Sequence, residues 1–220
     1  MQNKKVIILL GPPGSGKGTQ VRLLQEKFSF DCIGSGKMLR ARAKTKDFTG
    51  KKIAQYVDKG LRVPTPIIFN MWMNRMAEIE KDTKNKGFII DGSPREVFEA
   101  EMLGMALEWY VWDKTKKVVY LKLSEKEIKQ RLLNRRMCQK CGRLIPYLVG
   151  FKDLKKCDKC GGSLIKRADD TEEGVKERLA WFKREVLPVV SYYKKKGKVI
   201  EINGNQSIKK VFNDILKELK

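Results

Sequence analysis

The chain has 220 residues, with 48 lysines and arginines against 26 aspartates and glutamates, for a formal charge of +22. That length holds one α/β domain with insertions, or at most two small domains, and buries a sizeable core. Histidine is absent, so an imidazole base or nucleophile is excluded, and no apolar run approaches the ~20 residues of a membrane span. The N-terminal apolar run is too short for a signal-peptide core, so a soluble, cytoplasmic protein with no membrane partner is expected.

Val6–Leu10 reads as a buried strand and runs directly into Gly11-Pro12-Pro13-Gly14-Ser15-Gly16-Lys17-Gly18-Thr19. A strand feeding a glycine-rich loop with one lysine is how a chain wraps a polyphosphate. The glycines let backbone N–H groups converge, Lys17 reaches the β/γ-phosphates, and the following helix aims its positive end at the same charge. Gly14, Ser15, Gly16, Lys17, Gly18 and Thr19 are therefore the candidate nucleotide cradle. The run departs from G-x-x-x-x-G-K-[ST], because Gly18 stands where Ser or Thr holds Mg²⁺ and Thr19 comes one residue late. Val21, Leu24 and Phe28 then mark one helical face.

Asp31–Ile33 reads as a second strand, with Cys32 a small buried apolar residue. Residues 34–64 read as a helical, basic insert carrying Arg40. Ile68, Trp72, Met76 and Ile79 share a helical face, and Gly87–Asp91 is a third strand. Asp91 ends that strand where open α/β sheets bind ligands, so it is a candidate to hold Mg²⁺, directly or through water. The competing reading makes it an Asx cap of the Gly92-Ser93-Pro94 turn. Lys117–Leu123 is a fourth strand. Arg131 and Arg135, four residues apart, are placed on one face of a helix.

Cys138-x-x-Cys141 and Cys157-x-x-Cys160, with fifteen residues between the pairs, match four-cysteine zinc spacing. Two disulfides are the rival reading, which a cytoplasmic chain disfavours. From Arg131 to Arg167 there are eleven Lys/Arg against two Asp, a net of +9 in 37 residues. Asp169-Asp170 follows, and Asp170 with Glu173 reads as a helix start, capping or catalytic. Val175, Leu179, Phe182 and Val186 give a further helical face, Lys198–Ile202 a fifth strand, and Ile208, Val211, Phe212, Ile215 and Leu219 the last helix.

Strands alternating with helices predict a P-loop NTPase-type fold: a five-stranded parallel sheet flanked by helices, with two inserts. The expected division is a core at 1–33, a helical, basic insert at 34–64, core again at 65–133, a zinc lid at 134–170 and core at 171–220. Two basic inserts over a phosphate loop imply a site that closes on its substrates. Phosphoryl transfer asks for in-line placement, charge screening and exclusion of water, and arginine forks suit all three. Arg40, Arg95, Arg131, Arg135, Arg167 and Arg178 are the set flanking the loop and the zinc segment.

Taken together, these residues resemble the adenylate kinase family, in its long form with a zinc-bearing lid. The likeness spans nearly the whole chain and rests on the P-loop with its unusual Gly18, Gly34–Arg40, Gly87–Arg95, Arg131, Arg135, Arg167-Ala168-Asp169-Asp170 and Arg178. It implies reversible, Mg²⁺-dependent transfer, ATP + AMP to two ADP, by a monomer without nucleic acid. Lys17, Arg95, Arg135, Arg167 and Arg178 would act on the transferring phosphates. Arg131 would lie against the ATP base, with Gln206 on the same nucleotide. Ser35, Arg40, Val63 through its backbone, Gly92, Arg95, Glu99, Arg167 and Arg178 would hold the monophosphate. Zinc on Cys138, Cys141, Cys157 and Cys160 would be structural.

The departures gather in the monophosphate site: Lys37 for Asp, Ser93 for Phe, Glu96 for Thr and Glu99 for the Gln that reads adenine. A carboxylate only accepts hydrogen bonds and suits guanine better, so GMP or another monophosphate stands as an alternative substrate. A nucleic-acid-binding zinc module is a further alternative. The zinc segment offers it only Tyr147 and Phe151 as stacking aromatics.

Overall fold

The computed structural model describes residues 3–59, 61–167 and 170–219. In β1 (Lys5–Leu10) the pleat sends Val6, Ile8 and Leu10 to one face and Ile7 and Leu9 to the other, and all are buried. The strands β2 (Asp31–Gly34), β3 (Gly87–Asp91), β4 (Lys116–Lys122) and β8 (Val199–Asn203) complete the sheet in the order β2-β3-β1-β4-β8, every pair parallel. Burial on both faces explains why these strands are continuous apolar runs and not alternating ones.

Helices cover each face. On the first lie α4 (Thr65–Lys81), α5 (Val97–Trp109) and α8 (Leu187–Lys195), with Trp72, Leu103 and Val189 in the shared core. Leu39 of α2 (Ser35–Arg42) and Ile53 of α3 (Phe48–Asp58) join the same cluster, so residues 34–64 are packed onto it. On the second face lie α1 (Lys17–Phe28) and α9 (Ile208–Glu218), through Val21, Leu24, Val211 and Ile215. A smaller cluster joins Ile128 and Leu132 of α6 (Glu125–Asn134) to Val175 and Leu179 of α7 (Glu172–Trp181). Beyond α6, β5 (Arg136–Cys138), β6 (Leu144–Ile145) and β7 (Leu164–Ile165) form a small antiparallel sheet, β6-β5-β7, around the cysteines.

The expected strands and helical faces are all present, and four local readings are corrected. Arg131 and Arg135 do not share a helix: α6 ends at Asn134, and Arg135 is its extended cap (φ −68°, ψ 154°), because the chain straightens at once into β5. Asp170 is not the cap of α7; Thr171 is, its hydroxyl accepting from Gly174 N–H at 3.1 Å. Asp169, named with it, lies outside the described residues, as does Ala168. Cys32 is half-buried and packs on the second core, and burial pushes its thiol up to about 12. The face carrying Phe182 and Val186 runs through a π turn at Phe182–Val186, not a plain α-helix. Among the described residues no helix is long and apolar enough to cross a membrane.

Candidate active site

β1 delivers the glycine-rich loop to the carboxyl edge of the sheet, where Gly14 (φ +77°) and Gly16 (φ +90°) take left-handed backbone. A side chain at Gly14 would also press on Leu132 Cγ at 3.0 Å, so the loop lies tight against α6. The first turn of α1 has neither a side-chain cap nor an acidic residue, which leaves its N–H groups and dipole for an anion. The Lys17 ammonium is folded onto the loop and donates to Gly11 O at 2.7 Å, Pro12 O at 2.9 Å and Ser15 Oγ at 3.3 Å. Burial lowers its pKa to about 8, Asp91 works the other way, and Arg95 and Arg135 add to the lowering.

A cleft of about 860 Å³ opens beside the loop. Gly14, Ser15, Gly16, Lys17, Gly18, Thr19, Asp91, Arg131, Arg135, Arg167, Arg178 and Gln206 all line it, with Tyr147 and Phe151 of the cysteine-bearing segment. Arg131 is held by Glu127 (Nε to Oε1, 2.6 Å) and by Gly204 O (2.8 Å). Gln206 donates to Asn203 O and Asp214 Oδ2, each at 2.8 Å.

Asp170 organises the arginines. Arg135 grips it with two bonds, Nε to Oδ2 at 2.5 Å and Nη2 to Oδ1 at 2.8 Å, and Arg178 Nη2 adds a third at 2.6 Å. The Asp170 side chain is fully buried. Burial alone would raise its pKa, but the hydrogen bonds from Arg135 and Arg178 bring it below the ordinary carboxylate value. A buried carboxylate thus spaces two guanidinium forks over a phosphate loop.

Asp91 is half-buried at the end of β3, and burial raises its pKa while Lys17 and Arg95 oppose the rise. Its oxygens make no hydrogen bond among the described residues, so it does not cap the turn after it. They are free to serve as hard oxygen ligands, which suits Mg²⁺.

Of the residues expected around the monophosphate, Arg167 and Arg178 line that cleft, and Ser35, Arg40, Val63, Gly92, Arg95 and Glu99 do not. Arg95 connects the two groups: its Nε donates to Gly92 O at 2.7 Å, and its guanidinium sits over the Trp181 ring at 5.4 Å. Burial lowers the Arg95 pKa; Glu99 and Asp91 hold its charge, while Arg62 and Arg40 oppose it. Ser35 is buried, its oxygen accepting from Trp72 Nε1 at 2.9 Å and lying 2.6 Å from Ser93 Oγ. Arg40 is exposed on α2, and Val63 is buried just before α4. Glu99 is wholly buried and paired with Arg62 at 2.8 Å, and its other oxygen accepts from Arg95 N–H at 2.7 Å. Sequence reasoning missed Arg62. Only the fold brings Arg62 and Glu99 together, so spacing along the chain carried no signal for the pair.

The four cysteine sulfurs lie within 4.8 Å of one another, with Cys138–Cys160 at 3.5 Å and Cys141–Cys157 at 3.7 Å. Those separations exclude disulfides. They match the ~3.8 Å edge of a tetrahedron built on Zn–S bonds of ~2.3 Å. Each pair sits on a tight turn closed by a glycine N–H: Gly142 to Cys138 O at 2.9 Å and Gly161 to Cys157 O at 2.8 Å. The Cys141 N–H holds the Cys138 thiol below its ordinary value, while at Cys160 the Gly162 N–H is outweighed by the neighbouring cysteine sulfurs, which hold that thiol above its own. An Arg143–Asp158 pair at 2.8 Å joins the two turns.

The sequence model of the family described as "Adenylate kinase" matches residues 9–198. Curated relatives named adenylate kinase span nearly the full chain. One from Clostridium botulinum (strain Langeland) is 40% identical over 212 residues, 95% of each chain. One from Caldicellulosiruptor bescii is 38% identical over 216 residues, 97% of this chain and 98% of its own. One from Archaeoglobus fulgidus is 37% identical over 210 residues, 95% of each. With a phosphate loop, an aspartate at the strand end and an arginine clamp already in one cleft, the conclusion follows that this chain belongs to the adenylate kinase family of phosphotransferases.

Proposed function

We propose that the protein reversibly transfers the γ-phosphoryl group of Mg-ATP to AMP, giving two ADP. The observation that carries this reading is the convergence of Lys17, Asp91, Arg135, Arg167 and Arg178 on one cleft. Backbone N–H groups of Gly14–Thr19 hold the triphosphate, and Lys17 leaves the loop carbonyls for the β/γ-oxygens. Arg131 and Gln206 border the base and ribose of ATP. Arg135, Arg167 and Arg178 screen the charge of the transferring group, and Arg95 bridges it to the monophosphate. Ser35, Arg40, Val63, Gly92 and Glu99 surround that second nucleotide. Asp91 would hold Mg²⁺, directly or through water, and the ion would supply charge neutralisation to the transferring group. Residues 34–64 and 134–170 act as the two covers of the core.

The test is direct. With Mg-ATP and AMP, GMP, CMP or UMP offered separately, ADP accumulation with AMP at a rate at least about tenfold above the others is the expected result. Turnover with none of them would overturn the reading.

Cys138, Cys141, Cys157 and Cys160 hold one structural Zn²⁺ that keeps the lid ordered. Metal analysis is expected to return one zinc per chain. Its release by thiol modification loosens residues 134–170 first, read as new protease sensitivity there, with the core sheet intact. A metal-free protein with full activity and an intact lid would refute the site.

A further inference from the structure

The phosphate loop follows the carboxyl end of β1. At the amino end of the same strand lies a separate hollow of about 170 Å³. Its floor is Val6 and Ile7, and its walls are Phe28 at the end of α1, Phe30, and Leu219 at the end of α9. The two phenylalanine rings stack with centroids 5.2 Å apart and planes 27° apart. Gly87 leaves room for that wall, since a Cβ there would press on Phe30 Cζ at 2.9 Å. The remaining lining side chains are Thr115, Lys5 and Lys117. The Thr115 hydroxyl is already engaged, donating to Lys4 O at 2.5 Å. The pleat that sends Ile7 and Leu9 into the second core puts Lys5 on that face, and Val119 and Leu121 do the same for Lys117. Lys117 is the register partner of Ile7. Both lysines are exposed, and neither side chain has an ion pair or hydrogen bond among the described residues.

Size and charge define what fits. A volume of about 170 Å³ slightly exceeds the ~150 Å³ apolar cavity that accepts benzene, and falls below the ~300–1,000 Å³ of sites for drug-sized molecules. One six-membered ring fits, and a nucleoside does not. The stacked phenylalanines offer that ring aromatic neighbours. α1 and α9 both end beside the hollow, and each helix end carries about −0.5 of a charge. Two full ammonium charges outweigh them, so the rim favours an anion. We propose that this hollow is a binding site for a single-ring aromatic carboxylate, separate from the nucleotide cleft. The ring enters against Phe28 and Phe30. The carboxylate stays at the rim between the Lys5 and Lys117 ammonium groups, whose stems run along the apolar wall while their heads stay in water. The site stands independently of which monophosphate the cleft accepts.

The probe is para-fluorobenzoate, titrated into the full chain and followed by fluorine NMR and by backbone amide shifts. Saturable binding with a Kd of about 1 mM is expected, the range for a ligand of so few atoms. The amides of Ile7, Phe30 and Leu219 are expected to shift, and saturating ADP is expected to leave the titration unchanged. A protein carrying both Lys5→Gln and Lys117→Gln is expected to bind the carboxylate about tenfold more weakly, the effect of losing two exposed charge contacts. It is expected to bind neutral fluorobenzene as the native protein does, which separates the fit of the ring from the charge at the rim. Both lysines are exposed and lie outside the nucleotide cleft, so the variant is expected to fold and to form ADP at the native rate. Absence of saturable binding up to about 10 mM, displacement by ADP, or undiminished carboxylate binding in the double variant overturns the proposal. Hexanoate binding as tightly as the aromatic acid overturns the assignment of a ring.

Discussion

Replacing Lys17 with Met is expected to lower kcat for ADP formation by about 10²- to 10³-fold, the usual effect of deleting one positioned donor to a developing phosphate charge. The fold is expected to survive. Lys17 contributes to the empty protein mainly through bonds to Gly11 O and Pro12 O in a half-buried loop, where water replaces the donor. Circular dichroism and the melting temperature should therefore be close to native. Full activity in the variant would remove the loop from the chemistry. The same residue sets a pH dependence. In the unliganded protein the Lys17 ammonium, brought by burial to about 8, loses its proton as pH rises through that value. Since the charged form binds phosphate, kcat/KM for ATP is expected to fall above about pH 8.

Asp170→Asn is expected to be the most destabilising single change in the arginine clamp. It leaves Arg135 and Arg178 facing a neutral amide where they now share a fully buried carboxylate. Breaking a buried ion pair by removing one partner costs about 3–5 kcal/mol, which at ~2–4 °C per kcal/mol for a chain of this size lowers Tm by roughly 10 °C. Activity falls with it, because the two forks lose their common spacer. A variant melting within about 2 °C of the native protein would show that Asp170 organises nothing. The sign with pH is fixed by the depressed pKa of the native carboxyl. Its stabilisation is complete above the unfolded carboxylate value of about 4 and is lost as pH falls through the lower native value.

The contrast between these two residues shows what was legible in the chain. Lys17 announces itself, because loop, strand and helix around it are contiguous and their chemistry is local. The five central strands are legible for a related reason: a parallel strand buried on both faces must be apolar at every position, as Val6–Leu10 and Phe88–Ile90 are. Asp170 looked like a helix cap because local spacing favours one. Its role depends on Arg135, which is 35 residues away, and on a helix that stops one residue before that arginine. Arg62 was hidden in the same way, being brought to Glu99 only by the packing of residues 34–64 against α5. Pairings of this kind are set by tertiary structure, and spacing along the chain does not encode them. The cysteines are the exception, because a tetrahedral metal site constrains its own spacing.

The path from Glu172 to Lys195 is continuous helix, since the π turn at Phe182–Val186 widens one turn without breaking the rod. Arg178 and Trp181 lie three residues apart on it and so share a side. One carries a fork of the Asp170 cluster, and the other is the platform beneath Arg95. One helical path therefore supports both the Asp170 cluster and Arg95, and any tilt of it carries the two together.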